Sequence, residues 1–300
     1  MKGVGGLYTV RPDFAGYGED GYISCSARGK LRLEDITPYP GDRVELEREG
    51  EAWAIVSVLE RKNSLRRPTV ANVSHLAAVI PAAHPKPDLE TVDKLICCAE
   101  NAGIEPIIAV NKADIAPDEA KRIAGIYRSA GFEVFPMSAQ TGEGTKELGD
   151  YLGKLEGGSA VVFSGASGAG KSTLMTRLFP ALELKTGDVS RKSERGRHTT
   201  RTAQLFEVLP GLFLADTPGF TMLDFAKYNF FPTENLAYLF REFLPYIGKC
   251  RYTKCTHLCE EGCAVCAARD ESIIPGERHR SYVDIYNEMK KTPEWARKKL

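Results

Sequence analysis

The chain has 300 residues, of which 43% are hydrophobic and 27% charged, a composition typical of a globular protein with two or three domains. Its 40 basic and 40 acidic residues cancel, so net charge gives no indication of a nucleic-acid partner. No run of eighteen apolar residues occurs and the N-terminus lacks a signal-peptide core, so we expect a cytoplasmic protein with no membrane partner.

The first 68 residues carry short alternating β patterns separated by glycine, proline and aspartate, without a helical period. Strands are predicted at residues 6–10, 21–26, 43–47 and 53–59. A small β-barrel of the OB type fits this length, and an SH3-like barrel or a sandwich fits the pattern nearly as well. We interpret residues 1–68 as an OB-type β-barrel domain.

From about residue 70 strands alternate with helices, which indicates an α/β domain with a largely parallel sheet covered on both faces. Helical spacing is clear in the segment around Leu95. Further helices are predicted at residues 117–129, 145–155 and 171–179. Apolar runs predict strands at residues 76–80, 106–110, 133–135, 160–164, 204–208 and 212–215.

The strongest motif is GASGAGKS at residues 165–172, a full match to GxxxxGK[ST] between a predicted strand and a predicted helix. Its backbone N–H groups and the helix N-terminus would surround phosphates. Lys171 would reach the β- and γ-phosphates, and the Ser172 hydroxyl would ligate Mg²⁺. The predicted phosphate-binding residues are Gly165, Ala166, Ser167, Gly168, Ala169, Gly170, Lys171, Ser172 and Thr173.

A second motif selects the base. The sequence Asn111, Lys112, Ala113, Asp114 matches the NKxD signature of GTPases and follows a predicted strand. The Asp114 carboxylate can accept hydrogen bonds from both the ring N–H and the exocyclic amine of guanine, a pair of donors that adenine lacks. A buried Asp114 would be left unpaired beside adenine, and sites built on buried hydrogen bonds discriminate by roughly 10⁴-fold. Ser138 and Ala139 match the loop that supports the base through backbone amides.

A third group of motifs would contact the γ-phosphate and Mg²⁺. Asp216 begins the sequence DTPG, in which it would hold Mg²⁺ through water while the Gly219 N–H senses the γ-phosphate. The segment GRHTT at residues 196–200 is a candidate switch, and we favour Thr200 over Thr199 as its Mg²⁺ ligand.

The usual water-orienting glutamine is replaced by Phe220, which predicts slow hydrolysis without a partner. His198 is the nearest polar candidate to orient the attacking water. The alternative is that His198 is a surface histidine in a mobile basic loop.

The order of these motifs differs from that of a standard GTPase. The standard order is P-loop, switch threonine, DxxG, NKxD and SA, whereas NKAD and SAQ precede the P-loop in this sequence. One cyclic rotation relates the two orders, so the same sheet can form with its termini moved. Five motifs in cyclic order predict a circularly permuted P-loop GTPase domain over residues 69–224.

Five of the eight cysteines lie within seventeen residues, which indicates metal binding in a chain without an export signal. Three thiolates and one imidazole suit a tetrahedral structural zinc site with no position left for water. A Cys₄ site with Cys266 in place of the histidine is the alternative, and Cys259 is a further spare thiol. The predicted ligands are Cys250, Cys255, His257 and Cys263.

An amphipathic helix follows the cysteines, so residues 225–300 form the predicted α-helical zinc-binding domain. The isolated Cys25, Cys97 and Cys98 are predicted to be small buried hydrophobes.

The permuted motifs, with a β-barrel before them and the Cys/His cluster after them, closely resemble the RsgA (YjeQ-like) family of ribosome-associated GTPases. The resemblance rests on GASGAGKST, NKAD, GRHTT, DTPGF and the cluster that begins at Cys250, and it covers essentially the whole chain. It implies a GTPase that acts in late assembly of the small ribosomal subunit and is stimulated by that subunit. The family's zinc site also has this ligand spacing.

The implied partners are GTP or GDP, the small subunit and its rRNA, with the barrel and zinc domains contacting RNA, and we expect a monomer. A GTP-controlled module that recruits a protein partner is the main alternative. A GTP-dependent enzyme that modifies nucleic acid would need a second catalytic constellation, which the sequence does not show.

Overall fold

The computed structural model describes residues 3–4, 6–13, 21–66, 69–155, 157–180, 182, 204–216 and 224–299. The chain divides into two compact units. One contains Met1–His75, Leu155–Phe163 and Phe179–Pro218, and the other contains Leu76–Lys154, Ser164–Leu178 and Gly219–Leu300. Within the described ranges, none of the helices has the length and apolarity needed to cross a bilayer.

The N-terminal region forms a five-stranded sheet in which the strands Ile23–Ala27 and Ala52–Val58 pair in parallel and the other neighbours are antiparallel. Alternate residues of its strands point to a small core around Ile55 and Cys25, with Leu31 packed against it. The burial of Cys25 confirms its predicted role as a small hydrophobe. The elements are β1 Gly3–Val4, β2 Leu7–Val10, β3 Ile23–Ala27, α1 Gly29–Leu33, β4 Val44–Glu49 and β5 Ala52–Val58, and the sheet order is β1-β2-β3-β5-β4.

The region that follows is an antiparallel hairpin of β6 (Ser64–Arg66) and β7 (Thr69–Ala71), so the predicted domain boundary at residue 68 falls inside a hairpin. Parallel strands alternate with helices after it, as predicted. These elements are β8 His75–Pro81, α2 Leu89–Asn101, β9 Glu105–Asn111, α3 Pro117–Ser129, β10 Glu133–Pro136 and α4 Thr145–Gly153.

The three strands β8, β9 and β10 lie side by side with β9 in the centre. The residues of β8 and β9 are buried almost without interruption, as expected for strands covered on both faces, whereas only Val134 of β10 is buried. Residues of α2 and α3, such as Ile96 and Ile123, pack against Ile80 and Ile108 to form one core. The carboxyl ends of β9 and β10 therefore share one edge, where the loops after Asn111 and Pro136 begin.

The next elements are β11 Ser159–Ser164, α5 Lys171–Leu178, β12 Gln204–Leu209 and β13 Leu212–Asp216. Strand β13 lies between the other two, parallel to β11 and antiparallel to β12. The register places Phe163 of β11 opposite Asp216 of β13. Because the two strands are parallel, the carboxyl ends of β11 and β13 lie at the same edge of this sheet.

The C-terminal region contains little strand. It comprises β14 Tyr228–Asn229, 3-10 helices at Thr233–Leu239 and Arg241–Phe243, α6 Ala264–Asp270, α7 Gly276–Lys290, a 3-10 turn at Glu294–Ala296 and β15 Lys298–Lys299. Tyr282, Ile285 and Met289 form the buried stripe of α7, as the sequence predicts. Helix α7 packs against α2, so this region shares a unit with β8–β10.

A buried ion network fixes that packing. Arg278 of α7 is 1% exposed, and its guanidinium donates to both carboxylate oxygens of Glu242, at 2.6 and 3.2 Å, and to Asp93 of α2. The Tyr127 hydroxyl of α3 donates to the same Asp93 oxygen at 2.9 Å. The guanidinium also lies 4.5 Å from the ring centroid of Phe240. Burial alone would lower the pKa of Arg278, but the two carboxylates raise it well above its ordinary value.

We expect Arg278→Met to destabilise the protein by about 3–5 kcal/mol, because it leaves two carboxylates buried without their cation. Arg280→Met changes an exposed arginine of the same helix and should alter stability by less than about 0.5 kcal/mol. Urea denaturation followed by circular dichroism compares the two. Equal midpoints for both variants would show that the network contributes nothing to stability.

Candidate functional site

The loop between β11 and α5 has a backbone that only glycine accommodates at two points. Gly165 has φ of 151°, and a Cβ there would lie 2.3 Å from the Val79 carbonyl oxygen. Gly170 has φ of 92°, and its Cβ would lie 2.3 Å from the side-chain nitrogen of Asn111. These contacts exclude larger residues, so the loop packs closely on β8 and on the end of β9.

The loop curls around the side chain of Lys171. This ammonium is buried and donates to the carbonyl oxygens of Gly165 at 2.9 Å and Ala166 at 3.0 Å. Ser172 and Thr173, in the first turn of α5, are exposed at the helix N-terminus. A cation inside a loop at a helix N-terminus is the arrangement that holds phosphate groups, since N–H dipoles and charge point the same way.

Asn111, at the end of β9, joins three segments. It is 2% exposed, and its side-chain nitrogen donates to the Ala169 carbonyl oxygen at 2.8 Å. Its side-chain oxygen accepts from the backbone N–H of Lys112 at 2.8 Å and of Ala139 at 2.9 Å. One amide therefore connects the phosphate loop, the NKAD segment and the loop that contains Ser138.

The NKAD segment begins at Asn111 and continues through the next three residues. Lys112 has φ of 67°, and its ammonium donates to the Gly168 carbonyl oxygen at 2.8 Å and to that of His84. Ala113 donates its N–H to the Met137 carbonyl oxygen at 3.0 Å. Asp114 follows, two residues after Lys112, and is exposed to solvent. That placement suits a carboxylate that reads the ring N–H and amine of guanine.

Arg177 was not singled out by the sequence motifs. It lies on α5, two turns after Lys171, and its guanidinium donates to the carbonyl oxygens of Ala139 at 3.2 Å and Gln140 at 2.6 Å. The Ser138 side-chain oxygen accepts from the Thr141 N–H at 3.1 Å and closes the same loop from within. Helix α5, which follows the predicted phosphate loop, thus holds the predicted base-supporting loop in place.

We expect Arg177→Ala to weaken GTP and GDP binding equally, by about fivefold, because two hydrogen bonds to the base-supporting loop are lost. Binding of inorganic pyrophosphate, which has no base, should not change. Arg122→Ala, an exposed arginine of α3, is the control. Equilibrium titrations measure the affinities of both variants for GTP, GDP and pyrophosphate. An equal loss of pyrophosphate affinity in Arg177→Ala would show that Arg177 only supports α5.

Several predicted residues lie outside the described part of the chain. These are His198, Thr199, Thr200, Gly219 and Phe220. The backbone of Asp216 is described as the last residue of β13, opposite Phe163, but its side chain is not. The γ-phosphate side of the predicted site therefore remains a prediction from the sequence.

The four predicted metal ligands come together. One ligand atom from each of Cys250, Cys255, His257 and Cys263 lies within 4.8 Å of every other. His257 Nδ1 is 3.5 Å from the sulfurs of Cys250 and Cys263, which are 4.0 Å from each other. His257 has φ of 58°, a left-handed conformation within the tight loop that places its ring among the thiols. This cluster can hold a metal ion.

The electrostatics of the cluster favour a bound cation. Burial, together with the neighbouring thiols, raises the pKa of Cys255 above its ordinary value, because several thiolates this close repel one another. Burial also lowers the pKa of His257, so its imidazole is neutral and can act as a ligand. A metal ion would supply the positive charge that the thiolates lack.

Glu260 organises the ligand loop and is a second residue that the motifs did not indicate. Its carboxylate accepts from the backbone N–H of Thr256 at 2.6 Å, from that of Leu258 at 3.0 Å and from the Thr256 hydroxyl. Burial alone would raise the pKa of Glu260, but these donors lower it to about 2. The carboxylate therefore stays ionised between two ligands at any ordinary pH.

The two spare cysteines do not belong to the group of four mutually close ligand atoms. The Cys266 sulfur is buried 3.6 Å from Nε2 of His279 and 3.7 Å from the His257 carbonyl oxygen. Cys259 is exposed. The geometry therefore favours His257 over Cys266 as the fourth ligand.

Comparison with known families decides the identity. The family profile described as RsgA GTPase matches residues 58–226, more than half of the chain, and that of the RsgA N-terminal domain matches residues 1–56. The chain belongs to the RsgA GTPase family. It is accordingly a GTPase, which confirms the predicted enzyme class.

Full-length relatives agree. The chain is 38% identical to the small ribosomal subunit biogenesis GTPase RsgA of Ruminiclostridium cellulolyticum over 302 residues, covering 100% of this chain and 95% of the relative. It is 39% identical to the protein of the same name from Caldanaerobacter subterraneus, covering 97% and 94%.

Two solved structures share the fold. YjeQ from Thermotoga maritima superposes with a TM-score of 0.75 at 31% identity, covering 92% of this chain and 93% of that one. YloQ, described as a circularly permuted GTPase, superposes with a TM-score of 0.74 at 27% identity, covering 98% and 94%. The predicted fold class, with a circularly permuted GTPase core, is confirmed.

Proposed function

We propose that this GTPase acts in late maturation of the small ribosomal subunit in the cytoplasm, binding GTP and hydrolysing it on the immature subunit. The main support is the match, along nearly the whole chain, to relatives named small ribosomal subunit biogenesis GTPases. The guanine and phosphate elements joined by Asn111 supply a nucleotide site consistent with that role. Contacts with rRNA would come from the N-terminal β domain and the C-terminal region.

We infer that the bound nucleotide is GTP or GDP with Mg²⁺. Asp114 would read guanine, Lys171 and the loop N–H groups would hold the phosphates, and Ser172 with Thr200 would ligate Mg²⁺. Asp216 would reach the metal through water, and the Gly219 N–H would sense the γ-phosphate. The exposed hydroxyl of Ser172 at the start of α5 supports this assignment.

We propose that the metal ion is one structural zinc per chain. With Zn–S bonds of about 2.3 Å and Zn–N bonds of about 2.0–2.1 Å, a tetrahedral site has S–S edges of about 3.8 Å and S–N edges of about 3.6 Å. The observed edges of 4.0 and 3.5 Å are close to these values. Four protein ligands leave no open position, so the ion would be structural.

Cosedimentation with purified small subunits tests the proposed role. The GTPase should pellet with immature subunits more strongly with a non-hydrolysable GTP analogue than with GDP, and less as salt rises. Subunits should also accelerate its GTP hydrolysis. If the protein neither binds small subunits nor hydrolyses GTP faster with them, the result would favour the alternative, a GTP-controlled module that recruits a protein partner.

We further propose that His198 orients the attacking water once subunit rRNA orders the basic segment at residues 191–201. His198→Ala should then bind GTP and the subunit as the unsubstituted protein does, but lose about 10²-fold of the stimulated rate. Added salt should reduce the stimulated rate more than the basal rate. Steady-state hydrolysis with and without subunits measures both effects, and equal stimulated rates would contradict a catalytic role for His198.

A further inference from the structure

Trp295 is the most exposed large aromatic side chain in the described part of the chain. It lies in the 3-10 turn Glu294–Ala296 after α7, and 88% of its surface is accessible. An indole offers roughly 150–250 Å² of surface for contact, so leaving it in water forgoes a large favourable contribution of burial to the free energy. None of the nucleotide or metal elements described above involves this residue.

The turn that carries Trp295 is held firmly. Arg297, two residues later, is 4% exposed and donates to the Thr233 hydroxyl at 3.0 Å. The Lys298 N–H donates to the Lys227 carbonyl oxygen at 2.9 Å, and β15 pairs with β14. The indole is therefore presented on an anchored turn instead of a frayed chain end.

Four exposed lysines lie on the segments next to the turn. Two of them, Lys290 and Lys291, precede it in the chain. Lys298 follows it in β15, and Lys227 directly precedes β14, the partner strand of β15. None of their ammonium groups forms a salt bridge with a residue that the structure describes. The acidic residue of the turn, Glu294, is already engaged by Arg297 at 3.7 Å and by the Asn229 side chain at 3.4 Å. We call the following five residues the C-terminal patch: Lys227, Lys290, Lys291, Trp295 and Lys298.

We propose that the C-terminal patch binds single-stranded RNA, with a base stacked on Trp295 and the backbone phosphates beside the lysines. This rests on the proposed function, because it assigns one rRNA-contacting surface to the GTPase. Stacking on an exposed aromatic contributes about 1–3 kcal/mol per base regardless of sequence. The lysines provide the phosphate attraction, with the ammonium groups of Lys227 and Lys290 lying over the rings of Tyr228 and Tyr286. Protein interfaces are depleted in lysine, so four exposed lysines on the segments that flank the turn and pair beside it fit a polyanion better.

The composition of the chain makes the test direct, since Trp53 and Trp295 are its two tryptophans. In a Trp53→Phe background, Trp295 is the sole indole fluorophore. Titration with a single-stranded decauridylate or decaadenylate should quench its emission. The logarithm of the affinity should fall with the logarithm of salt with a slope of about −2 to −3, as expected when up to four phosphates are neutralised.

Anisotropy of a labelled decaadenylate with the otherwise unsubstituted protein provides a second measurement that does not depend on the Trp53 substitution. Trp295→Ala should weaken binding about 5- to 150-fold, whereas Trp295→Phe should retain part of the affinity. Lys290→Gln should flatten the salt dependence without abolishing quenching. Tyr238→Ala, a change to an exposed aromatic of another 3-10 helix, is the control and should have no effect.

Unchanged Trp295 emission with both oligonucleotides, or equal affinities for Trp295→Ala and the control, would overturn the assignment. Quenching by whole small subunits without quenching by RNA would assign the patch to a protein and also overturn it. Cosedimentation separates the two proposals. Failure of the unsubstituted protein to pellet with subunits counts against the proposed function, while oligonucleotide quenching still decides the chemistry of the patch.

Discussion

Asp114→Asn should convert the GTPase from a guanine-binding to a xanthine-binding protein. The carboxylate of Asp114 would accept two hydrogen bonds from guanine, whereas an amide would present a donor to the guanine amine. Xanthine carries a carbonyl at that position, so the amide donor finds an acceptor. Because the mismatch leaves polar groups unpaired, we expect GTP affinity to fall by about 10³- to 10⁴-fold while XTP affinity rises.

The control for this substitution is close in the chain. Asp118→Asn changes an exposed aspartate in the first turn of α3, four residues after Asp114, and should leave the preference for GTP intact. Competition titrations with GTP, XTP and ATP measure the effect. Unchanged GTP preference in Asp114→Asn, or ATP binding within tenfold of GTP before substitution, would contradict the assignment of NKAD to guanine recognition.

Cys263→Ser should release the metal and unfold the loop that carries the ligands. Structural zinc supplies on the order of 10 kcal/mol to a small fold, and one lost thiolate removes most of it. Cys263 is also the N-cap residue of α6, where its sulfur accepts from the Cys266 N–H at 3.5 Å. Serine can cap a helix in the same way, so the destabilisation would come from the lost metal ligand. Elemental analysis and thermal denaturation should show loss of zinc and a lower unfolding temperature.

The spare cysteines supply the controls. Cys259→Ser changes an exposed thiol that lies outside the ligand group, so it should retain one zinc per chain. Cys266→Ser should also retain zinc if His257 is the fourth ligand. Zinc retained in His257→Ala but lost in Cys266→Ser would instead support a Cys₄ site, and zinc absent from the unsubstituted protein would rule out the assignment.

Most of what could be predicted came from local sequence patterns. Residues 165–172 need particular glycines, a lysine and a hydroxyl at fixed spacing, so the loop is visible without tertiary information. The strand predicted at 106–110 is observed as Glu105–Asn111, and the helix predicted at 171–179 is observed as Lys171–Leu178. Periodicity sufficed because these elements are long or fully buried.

Features that depend on distant residues could not be predicted in this way. Helix α1 has five residues, too few to show a helical period. The arginines at 177 and 278 are ordinary charged helix residues in the sequence, and only tertiary packing gives them carbonyl and carboxylate partners. Glu260 likewise gains its role from a loop that closes around two ligands. No short motif encodes such pairings.

The buried ion pairs of Arg278 with Asp93 and Glu242 connect the predicted GTPase domain with the predicted zinc-binding domain, so the two are not independent modules. Asp93 belongs to α2, which leads into the strand that ends at Asn111, whereas its cation is supplied from near the C-terminus. A fragment that stops after the last GTPase motif would keep every nucleotide-binding signature. It would nevertheless uncover the side of α2 that packs against α7 and leave the Asp93 carboxylate without its cation. The smallest autonomous nucleotide-binding piece of this protein therefore extends through α7.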